Sequence, residues 1–179
     1  MEKNILVITA SLRKGSNSEL LADELICGAK EAGNHVEKVC IRDKEIAFCR
    51  GCLACQKTGG CAIKDDGDEI ARKMLTADVL VFATPVYYYE MSGQMKTMLD
   101  RANPLFFLDY RFRDVYLLAT AADEDEHAVD GALTGLKGWI SCFEKARLAG
   151  SIFAGGADKA GEIEGHPALE RAYRMGRGL

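Results

Sequence analysis

Short apolar runs alternate along the chain with longer segments whose apolar residues recur every three or four positions. The short runs predict five strands, at residues 5–9, 36–41, 79–83, 115–119 and 148–153. The periodic segments predict helices at residues 21–32, 70–77, 91–102, 133–143 and 168–175. Because strands and helices alternate, we expect a doubly wound α/β fold. Its five parallel strands should lie in the order 2-1-3-4-5, with helices on both faces.

Composition narrows the class of protein without identifying it. Of the 179 residues, 48% are hydrophobic and 28% charged, which favours one globular domain spanning residues 1–179. No apolar run is long enough to cross a membrane, and the N-terminus lacks the stages of a signal peptide, so we expect a cytoplasmic protein. The net charge is −4 and the basic residues are scattered, which argues against nucleic acid as a partner.

The turn after the first predicted strand is rich in hydroxyl and amide side chains. Such donors, together with backbone N–H groups at the start of a helix, suit a phosphate group. Gly15 permits a tight turn, and Ser16 and Glu19 have the spacing of a capping box. The residues expected to bind phosphate are Ser11, Arg13, Ser16, Asn17 and Ser18. The spacing is neither a Walker loop nor Gly-x-Gly-x-x-Gly, so a mononucleotide fits best, although an ordinary polar turn has a similar composition.

A second candidate segment follows the third predicted strand, where the strand order reverses and where open α/β sheets bind ligands. A proline fixes this turn, and three tyrosines offer flat aromatic surfaces that suit a planar ring. The residues expected to hold the ring are Pro85, Val86, Tyr87, Tyr88 and Tyr89. The alternative is that the tyrosines pack inside the protein or at an interface.

Four of the seven cysteines lie close together, in the pattern Cys-x2-Cys-x2-Cys-x5-Cys. Four thiolates from one short loop fit an iron–sulfur cluster better than structural zinc, which usually takes two separated Cys-x-x-Cys pairs. Free thiols and a labile disulfide are also compatible with this spacing. The candidate cluster ligands are Cys49, Cys52, Cys55 and Cys61. The remaining cysteines fall on helix or strand patterns and are expected to be buried: Cys27, Cys40 and Cys142.

These motifs resemble those of two related families, the NADPH-dependent FMN reductases and the iron–sulfur flavoproteins. Residues 11–18 resemble their FMN-phosphate loop, although Ala10 and Leu12 replace the usual glycine and proline. Residues 85–101 resemble their Pro-x-Tyr, Gln-x-Lys and Asp-Arg signature, which holds the isoalloxazine ring. The cysteine spacing is similar to the motif that binds a [4Fe–4S] cluster in iron–sulfur flavoproteins, and cluster-free relatives keep similar cysteines. The resemblance implies a flavodoxin-like fold with bound FMN and NAD(P)H as electron donor.

The function implied by this resemblance is that of an FMN-dependent NAD(P)H oxidoreductase that passes electrons through the flavin to an unidentified acceptor. A cluster in the cysteine segment would instead favour an electron carrier between protein partners, and a non-redox binding domain is a third alternative. Relatives in these families are typically homodimers, so we expect a homodimer or higher oligomer. The aromatic segment 106–110, together with Phe112, is the expected contact surface.

Overall fold

One sheet organises the chain in the computed structural model, which describes residues 2–179. Its strands are β1 (Asn4–Thr9), β2 (His35–Cys40), β3 (Val79–Tyr87), β4 (Glu90–Met91), β5 (Asp114–Thr120) and β6 (Arg147–Ala154). Five strands run parallel in the order β2-β1-β3-β5-β6, and the two-residue β4 pairs antiparallel with the end of β3. The predicted fold is confirmed, because the five long strands have the predicted order.

Helices cover both faces of the sheet. They are α1 (Asn17–Glu31), α2 (Cys55–Thr58), α3 (Asp66–Thr76), α4 (Gly93–Arg101), α5 (Asp130–Ile140) and α6 (Pro167–Arg177). Side chains alternate along β1, so that Ile5 and Val7 pack with α1 and α6 while Leu6 and Ile8 pack with α3 and α4. Burial on both faces explains why the strands are continuous apolar runs. No helix among residues 2–179 combines the length and hydropathy needed to span a membrane.

Close packing of α1 against α6 fixes the end of the chain. A Cβ atom at Gly28 would lie 2.1 Å from the carbonyl oxygen of Tyr173, and one at Gly176 would lie 2.0 Å from that of Leu25. The two helix backbones therefore meet at these glycines, where no larger residue fits. Because α6 is held in this way, the segment that joins β6 to α6 is held at the carboxyl edge of the sheet.

The prediction that three cysteines are buried is wrong for two of them. Cys27 and Cys142 are exposed, and Cys40 is partly buried. Cys27 lies on the outer face of α1, where its Sγ donates to a carboxylate oxygen of Glu31 one turn later, at 3.7 Å. Cys142 lies in the turn that follows α5. A small apolar residue in a helix pattern therefore does not identify the buried face when it stands at the edge of the apolar stripe.

Candidate functional site

The turn between β1 and α1, residues 10–16 (the phosphate turn), presents free backbone donors at the start of a helix. Ser16 caps α1, because its Oγ accepts a hydrogen bond from the backbone N–H of Glu19 at 3.3 Å. The backbone N–H groups of Asn17 and Ser18 have no acceptor within the part of the chain that the structure describes. These donors and the positive end of the α1 dipole make an anion site.

Two features fix the backbone of the phosphate turn: the left-handed conformation of Gly15, and a hydrogen bond from Arg42, which follows β2. Gly15 has a φ of +63°, which favours glycine, and a Cβ there would meet no atom within 4 Å. Arg42 Nη1 donates to the carbonyl oxygen of Arg13 and to Glu19, each at 3.0 Å. Burial would raise the pKa of Glu19, but hydrogen bonds from Arg42 and Lys38 outweigh it and lower the pKa to about 2. Glu19 thus serves this ion pair, and the predicted capping box is only half formed.

The turn that joins β3 to β4, at Tyr88 and Tyr89 (the tyrosine turn), has a strained backbone. Their φ angles are +51° and +64°, as in type I′ turns, which usually carry asparagine or glycine. Each left-handed residue other than glycine costs about 1–3 kcal/mol. The turn is held by Tyr89 Oη, which donates to Asp123 at 3.3 Å, and by Gly131 of α5, where a Cβ would lie 2.2 Å from the Tyr89 carbonyl oxygen. The surrounding structure therefore imposes this conformation.

The phosphate turn and the end of β3 line one cleft of about 250 Å³ at the carboxyl edge of the sheet. Arg13 and Tyr87 both contribute to it, as the sequence predicts. Of the predicted cofactor residues, those that line the cleft are Ser11, Arg13, Ser16, Asn17, Ser18, Pro85, Val86 and Tyr87. Tyr88 and Tyr89 do not line it, and the side chain of Tyr88 is fully exposed. Of the three consecutive tyrosines, only Tyr87 therefore lines the cleft, and both residues of the tyrosine turn lie outside it.

Two further segments complete the cleft. Thr120 ends β5, Ala121 and Ala122 follow it, and Ala157, Asp158 and Ala160 follow β6. Neither segment is among the cofactor residues predicted from the sequence. Most of these residues are alanines, so residue type gives little signal. Their one sequence signal is position, because each segment follows the carboxyl end of a parallel strand.

Two predicted phosphate donors have partners elsewhere in the protein. Arg13 Nη1 donates to the carbonyl oxygen of Asp158 at 2.6 Å. Asn17 Nδ2 donates to the carbonyl oxygens of Ala157 and Lys159 at 3.0 and 2.9 Å. Both side chains therefore connect the phosphate turn to the segment that follows β6.

The four clustered cysteines (the cysteine segment, residues 49–61) line a second, smaller cavity of about 30 Å³. Cys49 and Cys52 are exposed, whereas Cys55 is buried at the start of α2, where its Sγ accepts from Asn103 Nδ2 at 3.2 Å. Within residues 2–179, no group of three or more Cys, His, Asp or Glu side chains has the geometry to hold a metal ion. The thiols as placed therefore do not fit the predicted [4Fe–4S] cluster of Cys49, Cys52, Cys55 and Cys61.

Arg101 joins the chain just before the cysteine segment, at Ala47, to the chain just after it, at Ile63 and Asp65. It does not line the cleft. Its fully buried guanidinium donates to the carbonyl oxygens of Ala47 and Ile63 at 2.7 and 3.1 Å, and to both carboxylate oxygens of Asp65 at 2.7 and 2.6 Å. These hydrogen bonds from Arg101 lower the pKa of Asp65 to about 2. The neighbouring Asp100 pairs instead with Lys96 on the surface, at 2.7 Å. Of the Asp-Arg pair in the sequence signature, only Arg101 therefore acts here, and it joins the residues on either side of the cysteine segment.

The aromatic segment expected to form a contact surface is divided between surface and core. Phe106 and Phe107 are exposed by 54% and 39%. Tyr110 and Phe112 are buried, and both rings pack against Phe143. The prediction of a contact surface is therefore wrong for Tyr110 and Phe112.

Named relatives match either half or nearly all of the chain. An iron–sulfur flavoprotein of Methanocaldococcus jannaschii is 39% identical over 101 residues, which are 56% of this chain and 52% of that protein. One of Methanosarcina thermophila is 40% identical over 95 residues, 53% and 50% of the two chains. The chain thus spans about half the length of these relatives. YwqN of Bacillus subtilis, provisionally named an NAD(P)H-dependent FMN-containing oxidoreductase, is 29% identical over 180 residues, 96% and 95% of the two chains.

Solved structures share the flavodoxin-like fold at low sequence identity. An azoreductase from Bacillus anthracis superposes with a TM-score of 0.75 at 18% identity, over 99% of this chain and 100% of the other. An NAD(P)H:quinone oxidoreductase from Methanothermobacter marburgensis superposes with a TM-score of 0.73 at 17% identity, over 100% and 98%. The sequence profile of NADPH-dependent FMN reductases matches residues 3–156. The chain therefore belongs to the NADPH-dependent FMN reductase family, a family of oxidoreductases.

Proposed function

We propose that the chain binds FMN in the cleft and acts as an NAD(P)H-dependent oxidoreductase that passes electrons to an unidentified acceptor. The observation that carries this proposal is that the anion site at the start of α1 and the segment Pro85 to Tyr87, which suits a planar ring, line the same cleft. Family membership supports FMN and a nicotinamide donor. The single domain of residues 1–179 is part of the same proposal.

The phosphate of FMN would bind at the start of α1. The free N–H groups of Asn17 and Ser18 belong to the first turn of this helix, and the hydroxyls of Ser11 and Ser16 line the same part of the cleft. Arg13 adds positive charge beside them. This set of neutral donors and one cation suits a monophosphate, which carries close to two negative charges at neutral pH.

The isoalloxazine ring would lie along Pro85, Val86 and Tyr87, near the backbone of the segment after β5. When bound, FMN supplies the electron-accepting chemistry of the site. The protein would hold the ring in a fixed orientation against Pro85 to Tyr87. Because the cleft is open, one face of the ring would stay accessible to a nicotinamide. Binding of this kind needs no separate nucleotide domain for NAD(P)H.

A second candidate function, that of an electron carrier, is favoured by the cysteine segment. All four of its cysteines line one cavity, and several relatives are named iron–sulfur flavoproteins. The thiols as placed do not fit a cluster, so the carrier function depends on whether the protein holds iron at all. Iron and sulfide assays on protein purified without oxygen test this candidate, and about four of each per chain would favour the carrier.

We also propose that the chain forms a homodimer or higher oligomer. The exposed rings of Phe106 and Phe107 support this proposal, because paired aromatic rings on a surface favour contact with another protein. Sedimentation of the double variant F106S/F107S should show a smaller species than the unaltered protein. Identical sedimentation of the two would contradict a contact at these residues.

Flavin titration tests the main proposal, with riboflavin as the matched control because it lacks only the phosphate. FMN should bind at least about 100-fold more tightly than riboflavin, since the phosphate gains several charge-assisted hydrogen bonds. The bound flavin should then lose its visible absorbance when NADH or NADPH is added without oxygen. Failure to bind FMN would favour a non-redox binding domain, and reduction only by a protein donor would favour the carrier.

A further inference from the structure

The side chain of Asn17 is fully used by a segment that lies far away in sequence. It is buried, its Nδ2 donates to the carbonyl oxygens of Ala157 and Lys159 at 3.0 and 2.9 Å, and its Oδ1 accepts from the backbone N–H of Ile163 at 3.2 Å. An asparagine side chain has two N–H donors. Both are engaged here, so none is left for a phosphate oxygen.

The segment that Asn17 binds, residues 157–163 (the C-terminal wall), has no regular secondary structure to hold it in place. It is fixed internally by Glu162, whose carboxylate accepts from the backbone N–H groups of Asp158 and Lys159, both at 2.9 Å. These two hydrogen bonds lower the pKa of Glu162. Externally, the wall is held by the side chains of Asn17 and Arg13, by the backbone N–H of Ala157, which donates to the carbonyl oxygen of Ala121 at 3.0 Å, and by the buried side chain of Ile163. Asn17 is the anchor that contacts this wall along its whole length, at Ala157, Lys159 and Ile163.

We infer that Asn17 is a positioning residue that holds the C-terminal wall against the FMN site. This inference rests on the proposed function for the identity of the ligand. Ala157 and Asp158 of the wall line the cleft, whereas Glu162 does not. The wall follows residue 156, where the match to the family profile ends. The backbone N–H of Asn17 is thus free to bind the phosphate, whereas its side chain holds the wall and makes no contact with the phosphate.

Amide hydrogen exchange and FMN titration of the same variants test this inference. In the flavin-free protein, N17A should speed exchange of the Ile163 amide at least about tenfold, since its buried acceptor is lost. N17A should also weaken FMN binding about tenfold or more. E162A should weaken binding as well, although Glu162 is outside the cleft. The double variant should bind FMN more tightly than the product of the two single effects predicts, because both act through the wall.

The matched control is N34A. The Asn34 side chain also joins backbone groups, accepting from Lys3 at 3.1 Å and donating to Ala29 at 3.2 Å, but it lies at the start of β2, at the opposite edge of the sheet. N34A should lower stability without changing FMN affinity. If N17A fails to fold, N17S serves in its place, because a single hydroxyl cannot replace two donors and an acceptor at once and adds no charge beside the phosphate.

The outcomes separate this inference from the proposed function. Weaker FMN binding in N17A with unchanged exchange of the wall, and normal binding in E162A, would mean that Asn17 contacts the phosphate directly. That result overturns the inference and leaves the proposed function intact. If the unaltered protein binds no FMN, the proposed function fails. Exchange of residues 157–163 in N17A still decides whether Asn17 holds the wall, and unchanged exchange overturns that role.

Discussion

Replacing Asp65 by asparagine should test how much the ion pair between Arg101 and Asp65, next to the cysteine segment, contributes to the free energy of unfolding. The Asp65 carboxylate is 15% exposed and receives two hydrogen bonds from a guanidinium that is fully buried. D65N keeps the size of the side chain, removes its charge and leaves the Arg101 cation without its counterion. Breaking a buried pair on one side in this way is strongly destabilising.

The structure gives the size of the effect. The pKa of Asp65 falls from an ordinary 3.8 to about 2 in the folded protein. That difference corresponds to about 2.5 kcal/mol in favour of the folded state at neutral pH. The unpaired Arg101 charge adds to this loss, so the expected cost of D65N is about 2.5–5 kcal/mol at pH 7. Because the pKa is lowered on folding, the contribution is complete above the pKa of the unfolded chain and is lost as the pH falls through about 2.

Urea unfolding of the flavin-free protein at several pH values measures this cost, since cofactor binding then adds nothing to stability. The charge-dependent part should fall by about half near pH 3. D100N is the matched control, because Asp100 pairs with Lys96 on the surface and should cost less than about 0.5 kcal/mol. A D65N cost below about 0.5 kcal/mol at pH 7, or one that does not change between pH 7 and pH 3, would refute the reasoning.

Three further substitutions, one of them with a matched control, test the turns and helix contacts. G131A should weaken FMN binding several-fold and cost about 1–3 kcal/mol in urea unfolding, because its Cβ meets the Tyr89 carbonyl oxygen at 2.2 Å. G138A in the same helix is the control, because its Cβ would have no atom within 4 Å. It should leave FMN affinity unchanged and raise the free energy of unfolding by about 0.5–1 kcal/mol. Equal effects of G131A and G138A would contradict the contact between Gly131 and Tyr89. G28A should lower the free energy of unfolding by at least about 2 kcal/mol, and a neutral result would mean that α6 can move away from α1. Y88N should raise the melting temperature by about 1–4 °C, since asparagine tolerates a positive φ and the Tyr88 ring is fully exposed; a lower value would show that the ring contributes to stability.

The fold and the two main walls of the cleft could be predicted because each rests on local pattern. Continuous apolar runs mark strands buried on both faces, and the turns after β1 and β3 carry residue types with evident chemistry. Position at the carboxyl edge of a parallel sheet then brings both turns together. For this reason Arg13 and Tyr87 are expected in one cleft, and they are found there.

The roles of individual side chains could not be predicted, because they depend on residues distant in sequence. Asn17 has the composition of a phosphate ligand, yet its partners lie about 140 positions away. Arg101 stands next to Asp100 in sequence and pairs with Asp65, because its side chain points into the core. Tyr88 lies outside the cleft because the strained tyrosine turn directs it to solvent.

A crystal structure of the protein grown with FMN would test the central claim most directly. The account predicts phosphate oxygens within hydrogen-bonding distance of the backbone N–H groups of Asn17 and Ser18, and the isoalloxazine ring against Pro85 and Tyr87. A flavin bound elsewhere, or bound in the cleft with its phosphate directed away from α1, would contradict it.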